Sequence, residues 1–183
     1  MFQKLVPAIS LGIIVAIAPN VIADNSPKNA NYLSYKSNKK AIDVGKISIG
    51  GIKLGMKEKD IVKKFGKPKS RTIRYDDVCH SSYITTWKYN GLEIEGLSTT
   101  NNPSQSQVHL ITTSSSLYPT EQGIKVGDNV SKPQKLYSNL LSKIERAKDL
   151  DYLTYSNDAY GGLVFYFNNQ RSIKKIILLA ASC

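Results

Sequence analysis

The sequence predicts an α+β protein: two tandem α-βββ repeats whose short helices pack on one face of an antiparallel sheet. Three observations lead there. The phrase Gly-Ile-Lys-aliphatic-Gly occurs twice, at 51–55 and at 123–127. Each copy is followed by a short stretch with apolar residues at helical spacing. Each stretch is then followed by runs of β-type residues bounded by turn formers.

The first element is not part of that fold. "MFQK" carries one basic residue, Lys4, and an apolar stretch runs from Leu5 to Ala18. Pro19 and Asn20 follow, and Val21 and Ala23 stand at −3 and −1 of a cleavage site, the layout of a secretory signal peptide over 1–23. The stretch is shorter than the roughly 20 apolar residues a membrane-spanning helix needs. Asp24 stands where a lipoprotein would carry cysteine. Residues 24–45 are polar, rich in Asn, Ser and Lys, and read as a flexible linker.

The first repeat is assigned to 46–118. "KISIGGIKLGM" reads as a short strand or extended turn. Lys57 to Phe65 reads as a helix with Ile61, Val62 and Phe65 on one face. Gly66 supplies the left-handed stop and Pro68 prevents resumption. "RTIRY" (71–75), "YITTWKY" (83–89) and "LEIEGL" (92–97) read as strands, and "QVHLITT" (107–113) closes the unit. Asn90-Gly91 is a strong hairpin signal. With a two-residue loop, Tyr89 opposes Leu92, Lys88 opposes Glu93 and Trp87 opposes Ile94. Tyr83, Trp87, Tyr89, Leu92 and Ile94 then share the buried face.

The second repeat is assigned to 119–183. Ser131-Lys132-Pro133-Gln134 reads as a capping box with proline in the first turn. Leu136, Tyr137, Leu140, Leu141 and Ile144 follow as one helical stripe. "YLTYS" (152–156), "GLVFYF" (162–167) and "SIKKIILLA" (172–180) read as strands. The two units match beyond the glycine phrase: Tyr83-Ile84-Thr85 with Tyr152-Leu153-Thr154, and Gly91-Leu92 with Gly162-Leu163.

"IKLGMKEKDIVKKFGKP" resembles a bacterial extracytoplasmic pattern: aliphatic-x-x-Gly-Met, a short helix with paired aliphatics, then Phe-Gly-x-Pro. Gly55, Met56, Ile61, Val62, Phe65, Gly66 and Pro68 carry the likeness, and Gly127, Leu136, Tyr137 and Leu140 carry it in the second repeat. The pattern is similar to that of the BamE/SmpA-like family and of the β-lactamase inhibitor protein, which has two such repeats. The resemblance implies helices against an antiparallel sheet and a protein-binding role without catalysis. Lys57 departs from it, standing where the family usually has a Thr or Ser cap.

Little in the chain points to chemistry. The histidines are His80 and His109. His109 falls in a strand pattern, while His80 sits in "DDVCHSS", the best candidate cluster. No phosphate-loop, zincin, nucleophile-elbow or Cys-x-x-Cys motif occurs. The phrases "GIKLG" and "GIKVG" lack the Gly-Lys-Ser/Thr of a phosphate loop and read as hinges leading into a helix. No catalytic residue, metal or cofactor is assigned. Cys79 and Cys183 are the only cysteines. In an oxidising compartment such a pair reads first as a disulfide, with free thiols the alternative.

The formal net charge of +11 favours anionic partners. No basic run with interleaved aromatics marks nucleic acid. Eleven tyrosines are the compositional clue for protein binding, since tyrosine is a favoured interface anchor. Tyr118, Tyr152, Tyr155, Tyr160 and Tyr166 are the candidates for exposure. The expectation is therefore a secreted or periplasmic, non-catalytic module. It would bind an extracytoplasmic protein through its open sheet face and loops. Attachment to anionic envelope polymers or lipid headgroups is the alternative, and an enzyme around Cys79 and His80 is the third reading.

Overall fold

The computed structural model describes residues 39–146, 150–156 and 161–180. Among the described residues eight strands form a single antiparallel sheet. They are β1 Ser70–Asp76, β2 Ser82–Tyr89, β3 Leu92–Ser98, β4 Gln107–Thr113, β5 Ser142–Arg146, β6 Asp151–Ser156, β7 Gly162–Phe167 and β8 Ile173–Leu179. Their spatial order is β1-β2-β3-β4-β8-β7-β6-β5, so two meanders of four strands meet where β4 pairs with β8. Two short α-helices accompany them: α1, Glu58–Phe65, and α2, Ser131–Leu136.

This corrects the α+β expectation: the protein is dominated by one eight-stranded sheet, and each half carries four strands rather than three. The physical reason lies in residues 136–144. Their apolar stripe has helical spacing, but the helix ends at Leu136, and Tyr137 leaves the helical region at φ −108° and ψ 28°. Ile144 lies instead in β5, where a β-branched side chain is favoured. Of that stripe, Tyr137 is buried and Leu140 packs against the core, while Leu136, Leu141 and Ile144 are exposed. Residues 39–45, the described end of the polar segment, make defined contacts. Lys40 bridges Leu140, and Ile42 is buried with its N–H donated to Ser156 O. The rest of the linker and the leader lie outside the described residues.

The sheet shows why the glycine phrase is written twice. Ile52 and Ile124 are both fully buried. Gly55 and Gly127 both have positive φ, 81° and 95°, which glycine adopts without steric cost. That turn aims the Gly55 N–H at Val108 O (2.7 Å) and the Gly127 N–H at Ile173 O (2.9 Å). In return Val108 N–H reaches Met56 O, and Ile173 N–H reaches Asp128 O. The phrase is a clip that fastens the layer beneath the sheet to the start of the last strand of each meander.

The register carries the same symmetry. Ile111 pairs with Leu178, and Thr113 pairs with Ile176. Exchanging the two halves turns one pair into the other, with Thr112 opposite Ile177 at the centre. Each meander also has a bulge at the same place: His109 is skipped between Glu95 and Gly96, and Lys174 between Tyr166 and Phe167. Bulges re-aim a side chain: His109 is half-buried at the first and Lys174 exposed at the second. The lead-in segments of the halves bridge each other at Ile49 and Thr120.

The core lies between one sheet face and the layer of lead-in turns and helices. Ile61 of α1 is fully buried, and Phe65 packs edge-on against Tyr89 and Tyr118. Tyr155 is buried against Tyr137 and donates its hydroxyl to Pro133 O of α2. The central pairs exchange bulk between the halves. Trp87 lies so close to Gly96 that a β-carbon there would fall 2.7 Å from the indole. At the matching positions stand Leu153, smaller than Trp87, and Phe167, larger than Gly96. The Asn90-Gly91 hairpin has the expected register, with Lys88 Nζ 3.0 Å from Glu93 Oε2.

Candidate functional site: the uncovered sheet face

Among the described residues both helices pack on the core face, through Phe65–Tyr89 and Pro133–Tyr155, and neither covers the opposite face. The opposite face is built by the alternate residues of each strand. Its centre is apolar. Leu110 opposes Leu179, Thr112 opposes Ile177 and Ile177 opposes Val164 across β4, β8 and β7. None of these four aliphatic side chains is fully buried. The sequence signal was "IILL" in β8. In a strand, an unbroken aliphatic run puts apolar residues on both faces: Ile176 and Leu178 inward, Ile177 and Leu179 outward. That reading, and Lys175 beside it, were missed.

In the second half this apolar centre is flanked by aromatics. Tyr152 and Tyr166 are cross-strand partners with ring centroids 5.4 Å apart. Lys175 Nζ sits 4.4 Å over the Tyr166 ring, a cation–π contact. On β5, Lys143 and Glu145 form an ion pair on the same face. Glu145 accepts from the Tyr152 hydroxyl, which raises that tyrosine's pKa. A recess of about 310 Å³ lies nearby between Lys88, Leu92, Thr112 and Lys175.

In the first half the same face is mixed: Ile84, opposite Leu97, is buried on it, and polar groups gather at the bulge. At the bulge, His109 Nε2 lies 3.8 Å from Glu95 Oε2, and the His80 ring is 5.3 Å away. Asp76 accepts the His80 backbone N–H and lies 3.8 Å from the Arg74 guanidinium. Burial, with the nearby His80 and Arg74 charges, pushes the His109 imidazole down to about 4. It is neutral at pH 7, so its contact with Glu95 is not an ion pair there. Burial also raises the Glu95 carboxyl. Among the described residues His109 Nε2 is buried without a hydrogen-bond partner. The ring lines a recess of about 460 Å³ with Leu54, Leu97, Gln105 and Ala180.

These groups do not assemble a catalytic set. No hydroxyl or thiol accepts or donates at the imidazole of His80 or His109 among the described residues. Asp76, Cys79 and His80 bring three ligand atoms within 4.8 Å of one another. However, Cys79 is disulfide-bonded, which leaves two donors and no thiolate. Its expected partner, Cys183, lies outside the described residues.

The tyrosine expectations divide. Tyr152 and Tyr166 are brought together on the uncovered face. Tyr155 is corrected: it is 1% exposed and its hydroxyl is used inside the core. Its place in β6 has core parity because it opposes Leu163. Tyr118 is also corrected, since it packs on Phe65 beneath the sheet. Tyr160 lies outside the described residues. No described helix is long and apolar enough to cross a membrane.

No protein-family model matches the chain, and no curated protein matches it. Among solved structures, an extracellular protein containing a SCP domain from Bacillus anthracis str. Ames aligns at 9% identity and TM-score 0.41. The alignment covers 83% of this chain and 49% of that one, so this chain spans about half its length. A DUF4309 family protein (YjgB) from Bacillus subtilis subsp. subtilis str. 168 aligns at 14% identity and TM-score 0.37, over 71% of this chain and 82% of its own. Both scores are too low to carry fold or function.

Proposed function

We propose that this protein is an exported, non-catalytic binding module that holds another extracytoplasmic protein on its uncovered sheet face. One observation carries the reading. A sheet face with an apolar centre of Leu110, Ile177, Leu179 and Val164 is flanked by the Tyr152–Tyr166 pair beneath Lys175. Apolar centre, aromatic anchors and polar rim are the parts of a protein–protein interface. Export rests on the leader pattern at 1–23, and the BamE-like resemblance agrees with it. The test is capture of a saturable partner from extracytoplasmic extract by the protein and by its Tyr166→Ala and Ile177→Glu variants. The reading expects wild type to retain a partner that both variants lose. A partner retained equally by all three would overturn it.

A second reading has its own observation. Seven lysines lie between Lys53 and Lys69, on and around α1, and all are exposed. Such a basic surface draws anionic polymers or headgroups with a salt dependence. Binding to anionic vesicles that disappears in high salt and survives Tyr166→Ala would favour it.

A further inference from the structure

The two edges of the sheet differ in a way that the uncovered face does not explain. β5 is the last strand of the sheet, flanked on one side only by β6. The segment around Lys40 bridges Leu140 and accepts the Leu141 N–H. It then turns away at Ile42, whose N–H goes to Ser156. No described strand therefore pairs with the outer edge of β5. An unpaired edge is a template for another strand unless it is blunted by proline, a bulge or repelling charge. β5 has no proline, and its pairing with β6 runs without a break from Ser142↔Tyr155 to Arg146↔Asp151. Ile144 at its middle is 51% exposed, and the chain just ahead adds Leu136 at 44% and Leu141 at 37%.

The charges on this edge are not repelling against a copy of themselves. The strand reads Ser142-Lys143-Ile144-Glu145-Arg146. Lay two copies antiparallel with Ile144 opposite Ile144. Lys143 of each then faces Glu145 of the other, and Ser142 faces Arg146. Two opposite-charge cross-strand pairs flank one apolar pair, and no like charges oppose. In a two-fold contact the two Lys143–Glu145 pairs are copies of each other, and the Ile144 pair lies on the axis.

We propose that β5 is a dimerisation edge. Two copies of this chain join antiparallel, centred on Ile144, so that their sheets become continuous. The occupant is a second copy because the strand is complementary to itself in charge and in its apolar centre. This contact borrows Lys143 and Glu145 from the margin of the uncovered face beside Tyr152 and leaves its apolar centre of Leu110, Val164, Ile177 and Leu179 free.

The test is sedimentation of the purified full-length protein over a concentration series, with charge reversal. Wild type is expected to show a concentration-dependent monomer–dimer equilibrium. Lys143→Glu places glutamate opposite Glu145 twice, and Glu145→Lys places lysine opposite Lys143 twice. Each single reversal is expected to weaken the dimer about tenfold. The double variant Lys143→Glu/Glu145→Lys restores both pairs and is expected to return near wild-type affinity. All these positions are on an exposed edge, and circular dichroism with an unfolding curve confirms that each variant is folded. A wild-type protein that stays monomeric would overturn the proposal. So would single reversals that dimerise as wild type does, or a double variant that stays as weak as the singles. A dimer lost on Ile177→Glu but untouched by changes at Lys143 and Glu145 would place self-association on the uncovered face and also overturn it.

Discussion

Arg71 on β1 and Ile144 on β5 hold the same place in their two meanders, opposite Trp87 and opposite Leu153. Arg71 reaches down to Glu58 of α1 at 2.8 Å, and the same carboxylate oxygen accepts the Trp87 indole N–H at 3.0 Å. One side chain of the helix thereby ties the edge strand to the largest core residue. Ile144 has no polar group to do this, and α2 is two residues shorter than α1. The first edge strand carries a charged side chain tethered to its helix, while the second carries an exposed isoleucine. The charge is also unequal, since the lysine-rich surface surrounds α1. The same backbone unit, written twice, has diverged at its outer surfaces and not at its glycine clips.

The largest break in that comparison is at the core. Trp87→Ala is expected to cost about 3–5 kcal/mol, and Leu153→Ala, at the matching site, about 2–4 kcal/mol. Urea unfolding of both variants checks this, and equal costs would show that α1 adds nothing to the first half. Next comes the exchange of bulk. Gly96→Ala would drive a methyl into the indole and is expected to cost about 1–3 kcal/mol by overpacking. Combining it with Trp87→Leu, which copies the second half, should recover part of that loss. A strictly additive pair of changes would contradict the packing described for these positions.

The clips should behave alike. Gly55→Ala and Gly127→Ala each force a side chain into positive φ, at about 1–2 kcal/mol. The two costs are expected to agree within a few tenths of a kcal/mol, as judged by thermal unfolding. A large difference would mean that the two phrases do not serve the same purpose. The smallest effect appears only in acid. His109 has an ordinary value of 6.5 and is held down to about 4 in the folded protein. Between those values the unfolded chain binds a proton that the folded chain refuses, so stability falls as pH drops from 6.5 toward 4. Above 6.5 the contribution is fully present and flat. Glu95, with its raised carboxyl, acts in the opposite sense, so the signature is the difference between wild type and His109→Gln. If the two stability–pH curves run parallel through this window, the buried imidazole has no such role.

Much of the sheet was legible because its signals are local. The Asn90-Gly91 turn dictates the register of β2 with β3, and Gly66 with Pro68 stops α1. The glycine phrase announced the duplication. The fourth strand of the second half was not legible, because Leu136, Tyr137, Leu140, Leu141 and Ile144 satisfy a helical period that tertiary context overrides. The bulges were also hidden. No local residue preference marks His109 or Lys174, and only the shifted pairing on either side reveals them. Of the candidate site, Tyr152 and Tyr166 could be named from the sequence but not paired. Their contact needs β6 and β7 to be neighbours with that register. Tyr155, one strand position on in parity from Thr154, shows how a single-residue change of face separates a surface anchor from a core residue.

The central claim is that the uncovered face, and not an edge, takes the foreign partner. The most direct measurement is covalent labelling of tyrosine and lysine side chains in the free protein and in its complex with the captured partner, read by mass spectrometry. Tyr75 on β1, 55% exposed, serves as the edge control. The account predicts that Tyr152, Tyr166 and Lys175 lose reactivity in the complex while Tyr75 keeps it. Protection of Tyr75 with Tyr152, Tyr166 and Lys175 still reactive would contradict it.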